Sequence, residues 1–287
     1  MNTPFTTLIS ADQLRALLAA GTHPVIVDTS FDLANVQAGE QSWREGHLPG
    51  AHYLHLDTQL SGAKTGRNGR HPLPLRGDFA QTLGNLGITP QTQVVALDRQ
   101  GGMYAARLWW MLRWMGHSAV AVLDGGVVAW TQAGGELTSA ATAPPAPAHG
   151  APPYPDLASR APTMHGDTLA ARLGIVRLLD ARAAERFRGD VEPLDAAAGH
   201  IPGAFNRFFK DNLDATGRFK PAAQLRDEFA PLLGGKAAEN VVHQCGSGVT
   251  ACHNLLAMEH AGLTGSALYP GSWSEWSSNP DRPLAKG

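Results

Sequence analysis

The sequence predicts an α/β protein built as two tandem domains of like fold, each a mostly parallel sheet flanked by helices. Three observations carry this prediction: a long-range internal repeat, a proline-rich stretch between its copies, and short apolar runs alternating with helical patterns inside each copy. The repeat comes first because self-similarity at a fixed spacing decides architecture. "VIVDTSFD" (25–32) returns as "RLLDARAAE" (177–185), "GHLPGAHYL" (46–54) returns as "GHIPGAFNR" (199–207), and residues 94–130 align with 241–276 across one single-residue gap. A spacing of about 150 residues is too long for a solenoid unit and suits a duplicated domain.

In chain order, residues 1–137 hold the first copy. "SADQLRALLAAG" (10–21) has the apolar spacing of a helix, "PVIVD" (24–28) is a buried strand, and "QVVALD" (93–98) is a second. "YAARLWWMLRWMG" (104–116) is a helix whose Trp109, Trp110 and Trp114 fall at core spacing, and "AVAVLD" (119–124) is another strand. Residues 138–162, "TSAATAPPAPAHGAPPYPDLASRAP", lack apolar periodicity and are rich in proline, which predicts an extended, semi-rigid connector. The second copy, 163–287, repeats the order with strands "VRLLD" (176–180), "NVVHQC" (240–245) and "SALYP" (266–270), and the helix "ACHNLLAMEHAG" (251–262). Strands alternating with helices of this length indicate βα units and a buried parallel sheet. Ligands in such sheets gather beyond the carboxyl ends of the strands.

Composition narrows the function. With 43% hydrophobic and 17% charged residues, 287 residues can bury a core in each domain. A formal net charge of -2 argues against a nucleic-acid or anionic-membrane partner held by a broad field. The first residues lack a basic start followed by an apolar core, and no run of about 18 apolar residues occurs, so a cytoplasmic location is expected. The chain has two cysteines, Cys245 and Cys252, without a CxxC pair, which disfavours a disulfide framework or thiol relay.

Cys245 carries the chemistry. The strand "NVVHQ" stops there, and "GSGVT" (246–250) turns the chain into a helix. Gly246 and Gly248 permit positive φ, so successive N–H groups of Gly246, Ser247, Gly248, Val249 and Thr250 are expected to face the sulfur, with the helix N-terminus behind them. Such a setting stabilises thiolate, the reactive form of cysteine. Cys252 falls a turn into the helix among apolar residues and reads as packing. In the first copy the matching strand ends at Asp98 and "DRQGGM" replaces the loop, so only one copy supports thiol chemistry. A P-loop needs a lysine that "GSGVT" lacks. A cysteine phosphatase needs an arginine six residues after its cysteine, where this chain has Ala251. His47, His52 and His55 have no regular ligand spacing, so no metal is expected. His47 and His200 recur in both copies before a Pro-Gly pair and are read as fixing turns. Trp273 and Trp276 read as packing.

Taken together, "GHLPGA", "GHIPGA", "LDGG" with "AW", "RFRG", "CGSGVTA" and "GSWSEW" fall in the order found in the tandem-domain rhodanese and 3-mercaptopyruvate sulfurtransferase family, which this chain resembles over nearly its whole length. The resemblance implies two rhodanese-type domains, the second catalytic, and a persulfide on Cys245 loaded from a small sulfur donor and passed to cyanide, a thiol or thioredoxin. It implies no cofactor. The Cys-Gly-Ser-Gly loop is similar to that of mercaptopyruvate-preferring members, whereas thiosulfate-preferring members carry Cys-Arg-Lys-Gly. The same resemblance places Ser247 in a proton-moving set whose other members match His71 and Asp57, with more residues between those two than usual. Arg186 of "ERFRG" matches the arginine that holds a substrate carboxylate, with Arg182 of "LLDAR" the alternative. The second carboxylate arginine expected just before "GHIPG" is absent, leaving Arg67 and Arg70 as candidates. Competing readings are a thiosulfate-specific enzyme, a persulfide carrier in a sulfur relay, and a non-enzymatic redox module.

Overall fold

The computed structural model describes residues 3–140 and 151–287. They divide into two compact units that are not contiguous in sequence. The first holds Met1–Ser61, Pro74–Arg160 and Thr216–Arg218, while the second holds Gly62–Leu73, Ala161–Ala215 and Phe219–Gly287. Segment Gly62–Leu73 therefore packs with the second unit although it lies within the first sequence copy. Part of the expected connector, 141–150, falls outside the described residues. Residues 151–160 pack in the first unit, where the Tyr154 N–H donates to the Ala80 carbonyl at 2.9 Å and its ring is 3% exposed.

The first unit runs β1 (Leu8–Ile9), α1 (Ala11–Ala19), β2 (Val25–Asp28), α2 (Ala38–Glu45), β3 (His52–Tyr53), α3 (Arg76–Asn85), β4 (Val94–Leu97), α4 (Ala105–Trp114), β5 (Val120–Leu123) and α5 (Gly126–Gln132). Its five strands lie in the order β1-β5-β4-β2-β3, every pairing parallel. Helix α1 starts at a capping box in which the Ser10 side chain accepts from the Gln13 N–H and the Gln13 side chain returns the bond. β4 and β5 are buried at every residue, as strands covered on both faces must be. Trp109 and Trp110 are each 1% exposed, and the Trp109 indole donates to the Thr6 carbonyl.

In the second unit come α6 (Gly166–Ala170), β6 (Arg177–Asp180), α7 (Ala184–Arg188), β7 (Ala204–Asn206), α8 (Ala222–Leu233), β8 (Val241–Gln244), α9 (Ala251–His260), β9 (Ala267–Leu268) and α10 (Ser272–Trp276). The sheet order is β7-β6-β8-β9, again all parallel. Thr163 forms a parallel bridge to Leu268, standing where β1 stands beside β5. The two sheets thus share one strand order, which is the internal repeat expressed in space. The recurring histidines do the same job in each: His47 Nδ1 lies 2.7 Å from the Trp43 carbonyl, and His200 Nδ1 lies 2.8 Å from that of Phe187. Trp273 and Trp276 are fully buried against Leu178, Val242 and Tyr269. No helix among the described residues is long and apolar enough to cross a membrane.

Candidate active site

β8 lies between β6 and β9, so its carboxyl end is an interior crevice of the second unit. Cys245 follows directly and is 2% exposed. Short bonds hook α10 onto its backbone: the Cys245 N–H donates to Ser272 Oγ at 3.1 Å, the Trp273 N–H to the Cys245 carbonyl at 3.0 Å, and the Ser274 N–H to the Gly246 carbonyl at 2.9 Å. The sulfur accepts the Gly248 N–H at 3.2 Å. Val249 is buried, Thr250 is half-buried, and α9 begins at Ala251, so its positive end lies behind the loop. Cys252 is fully buried, and its Sγ donates to the Gly248 carbonyl at 3.4 Å.

The two glycines of the loop serve different needs. Gly248 has φ +77°, and a Cβ there would sit 2.3 Å from the Pro270 carbonyl oxygen. Gly246 is not in the left-handed region, which corrects the expectation that both glycines supply positive φ. What Gly246 supplies is room: a Cβ on it would sit 2.8 Å from Arg70 Nη2 and 3.5 Å from Arg186 Nη1. Two guanidinium groups therefore reach the residue next to Cys245.

Segment Gly62–Leu73 brings Arg70 and His71. It closes on itself through the Gly62 N–H and the Pro72 carbonyl at 2.9 Å, and the Arg70 N–H donates to Ser274 Oγ at 3.0 Å. Gly69, φ +84°, lets the segment lie so close that a Cβ would be 2.8 Å from the Gly271 carbonyl oxygen. His71 is 4% exposed, and its Nδ1 lies 2.7 Å from Ser247 Oγ. Ser247 is 6% exposed, so the hydroxyl and the imidazole meet at a buried position. Arg67 is placed elsewhere, lining a cavity of about 440 Å³ with Glu275 and Arg282. Asp57 belongs to the first unit, where its N–H donates to His55 Nδ1 at 3.1 Å and it borders a cleft with Trp43 and Tyr53.

Arg182 and Arg186 are separated by their surroundings. Arg182 is buried; its Nε and Nη2 hold the Asp180 carboxylate at 2.7 to 3.1 Å, Nη2 also donates to the Gly199 carbonyl, and the fork lies 4.8 Å over the Trp273 ring. Burial works against its charge, but Asp180, Glu192 and Cys245 outweigh that and hold the guanidinium in its cationic form. Its fork is thus committed within the protein. Arg186 stands on α7 with its side chain 18% exposed, donates to Glu192 at 2.6 Å, and reaches Asp195 at 3.3 Å. Glu192 and Asp195 stand in the stretch before "GHIPG" where an arginine was expected, and nothing in that stretch of sequence marks them as partners of Arg186.

The first unit holds the counterpart of the cysteine loop. After β4, the Asp98 carboxylate accepts N–H groups from Gln100, Gly102, Tyr104 and Ala105 at 2.8 to 2.9 Å. Burial pushes this carboxyl up, and the four N–H donors oppose the shift. Among the described residues, no group of three or more His, Cys, Asp or Glu is placed to hold a metal ion.

A family profile described as "Rhodanese-like domain" matches residues 10–133 and again 166–279. A Pseudomonas aeruginosa protein named "Probable 3-mercaptopyruvate sulfurtransferase" is 44% identical, the alignment covering 98% of each chain. The chicken (Gallus gallus) protein named "Thiosulfate sulfurtransferase" is 31% identical over 94% of this chain and 92% of its own. Among solved structures, the 3-mercaptopyruvate sulfurtransferase of Leishmania major superposes with a TM-score of 0.82 at 28% identity, covering 96% of this chain and 75% of that one.

Proposed function

The chain belongs to the rhodanese family, and from that premise we propose that it is a sulfurtransferase taking sulfur from 3-mercaptopyruvate, or less readily from thiosulfate, through a persulfide on Cys245. The observation that carries the reading is the Cys245 sulfur, buried at the end of the central strand β8, accepting the Gly248 N–H at 3.2 Å, with the Ser247–His71 pair and two arginines beside its loop.

The mechanism follows from those groups. The Cys245 thiolate attacks the donor sulfur; a sulfur–sulfur bond forms, the carbon–sulfur bond breaks, and its electron pair goes to the carbon of the departing enolate. The donor's thiol proton ends on that carbon, giving pyruvate and a Cys245 persulfide, so atoms and charge balance. In this reading Ser247 and His71 carry the proton, supported by the 2.7 Å between His71 Nδ1 and Ser247 Oγ, because a hydroxyl joined to an imidazole can release and regain it without forming an isolated charge. Asp57 enters as the third member of that set on resemblance alone. The Gly248 N–H, 3.2 Å from the sulfur, stabilises negative charge on it, and Arg186 supplies the cation for the donor carboxylate. A second nucleophile, cyanide, a thiol or the thiol of thioredoxin, then attacks the outer sulfur and restores the thiolate. The chemistry calls on no cofactor.

Donor choice follows from charge. Thiosulfate is a compact dianion, and the loop itself offers it dipoles but no lysine or arginine, whereas mercaptopyruvate asks for one cation. The test is to measure kcat/KM for both donors side by side and to locate the added sulfur by mass spectrometry. The expected outcome is a preference for mercaptopyruvate, one extra sulfur on the Cys245 peptide, and loss of transfer from both donors in Cys245→Ala with the fold retained. Sulfur on Cys252, or full activity of Cys245→Ala, overturns the assignment. A chain that accepts sulfur from a partner protein but turns over neither donor is a relay carrier instead.

A further inference from the structure

Beside the cysteine loop the structure gathers a closed set of opposite charges. Arg182 is held by Asp180, Arg186 by Glu192, and Arg70 by Asp195, whose other oxygen lies 3.3 Å from Arg186 Nη2. The Asp195 carboxylate therefore bridges the two guanidinium groups that approach Gly246. Its side chain is 5% exposed and that of Glu192 is 3% exposed, so neither is screened as a surface carboxylate would be. Glu192 Oε1 also accepts the Leu194 and Asp195 N–H groups, at 3.1 and 3.2 Å, which fixes the turn that presents Asp195.

Resting on the sulfurtransferase reading, we propose that Arg70 is the second arginine of the donor-anion subsite and that Asp195 is its specificity-determining residue, occupying the arginine pair as an internal anion. The pair Arg70 and Arg186 carries two positive charges, and Asp195 and Glu192 return two negative ones. Such a subsite accepts a monoanionic carboxylate, which replaces part of the Asp195 contact on the guanidinium forks. A dianion meets two nearby buried carboxylates and a reacting thiolate with no surplus cation, and like charges in a dry crevice are costly. Arg70 also accounts for the absent arginine before "GHIPG": its guanidinium reaches the loop from segment Gly62–Leu73 rather than from the segment that carries Glu192 and Asp195.

Two variants of the full chain test this. Asp195→Asn keeps the shape and removes the charge; its kcat/KM ratio of thiosulfate to mercaptopyruvate is expected to rise at least about tenfold, because one buried negative charge no longer opposes the dianion. An equal fall for both donors means that Asp195 only holds the arginines in place, and an unmoved ratio means that it does not select; either overturns the proposal. Arg70→Gln, checked for a wild-type melting curve, is expected to raise KM for mercaptopyruvate at least about tenfold more than KM for mercaptoacetone, the same ketone without a carboxylate. Equal effects on the two ketones remove Arg70 from the subsite. These failures are distinct from failure of the underlying reading, in which the unmodified chain transfers sulfur from neither donor and forms no persulfide on Cys245.

Discussion

Replacing Gly248 by alanine tests whether the loop geometry, and not merely the cysteine, makes the reaction possible. The magnitude separates into two parts. Gly248 sits at φ +77°, where an alanine costs roughly 1–2 kcal/mol in backbone strain. Its Cβ would also lie 2.3 Å from the Pro270 carbonyl oxygen, about 1 Å short of ordinary contact, and overpacking of that kind costs roughly 1–3 kcal/mol. Backbone cannot rotate away as a side chain tip does, so the loop must move, and the 3.2 Å bond from the Gly248 N–H to the sulfur goes with it. Gly203 supplies the control: it has the same φ of +77°, but nothing lies within 4 Å of its Cβ position, so Gly203→Ala carries the strain without the collision. The assay is persulfide formation on Cys245 in a single turnover, with thermal melts of both variants. Gly248→Ala is expected to melt about 3–10 °C below Gly203→Ala and to form persulfide about 100-fold more slowly at a temperature where both are folded. Equal rates in the two variants refute the argument that the loop N–H groups matter to the sulfur.

Arg186→Ala is expected to raise KM for mercaptopyruvate by about 10- to 100-fold, the worth of a charge-assisted contact, and steady-state kinetics showing an unchanged KM transfer the carboxylate to Arg70 alone. His243 supplies a pH dependence: it is fully buried on β8, and burial pushes its imidazole down to about 3. Between that value and the unfolded one of about 6.5, the unfolded chain binds a proton that the native state refuses, so unfolding free energy falls as pH is lowered, by up to about 1.4 kcal/mol per unit. His243→Leu should flatten that slope in denaturant titrations from pH 7 to 4, and a slope equal to wild type assigns the loss to other groups.

The architecture was legible because it rests on local periodicity repeated twice. "VIVD", "VVAL", "VAVL" and their second-copy counterparts are apolar runs bounded by turns and helices, and parallel pairing follows from the helices between them. The candidate cysteine was legible for a similar reason: a cysteine at a strand end followed by two glycines is a local pattern, and the fold puts it buried at the end of β8. What escaped the sequence was tertiary. Segment Gly62–Leu73 joins the second unit because Gly69 allows backbone to approach backbone at Gly271, and no pattern within 62–73 announces a partner some 200 residues on. The different surroundings of Arg182 and Arg186 were also tertiary: Arg182 is buried on Asp180 at 2.7 Å, whereas Arg186 on α7 keeps its side chain 18% exposed while it pairs with Glu192 at 2.6 Å. Gly246 resembled a turn glycine, but its need is for two guanidinium groups, which only the folded chain brings near.

The duplicated loop supports the proposal that a cysteine at this position is reactive rather than merely buried. After β4 the chain turns into α4 with its N–H groups converging, and Asp98 fills that cradle with its own carboxylate, accepting four of them. A covalently attached carboxylate cannot leave, so the N–H groups of the first loop that it accepts are already satisfied within the chain. After β8 the same turn leads into α9, but the side chain that follows the strand ends in sulfur, which accepts the Gly248 N–H. In both copies, therefore, strand end, turn and helix start aim backbone N–H groups at the residue after the strand: four at Asp98, and that of Gly248 at Cys245. In the first copy the occupant is a finished carboxylate. In the second it is a sulfur, which in the proposed reaction takes on a second sulfur and later gives it up. On that proposal, the difference between a silent loop and a catalytic one comes down to which residue stands at the end of the strand, Asp98 or Cys245.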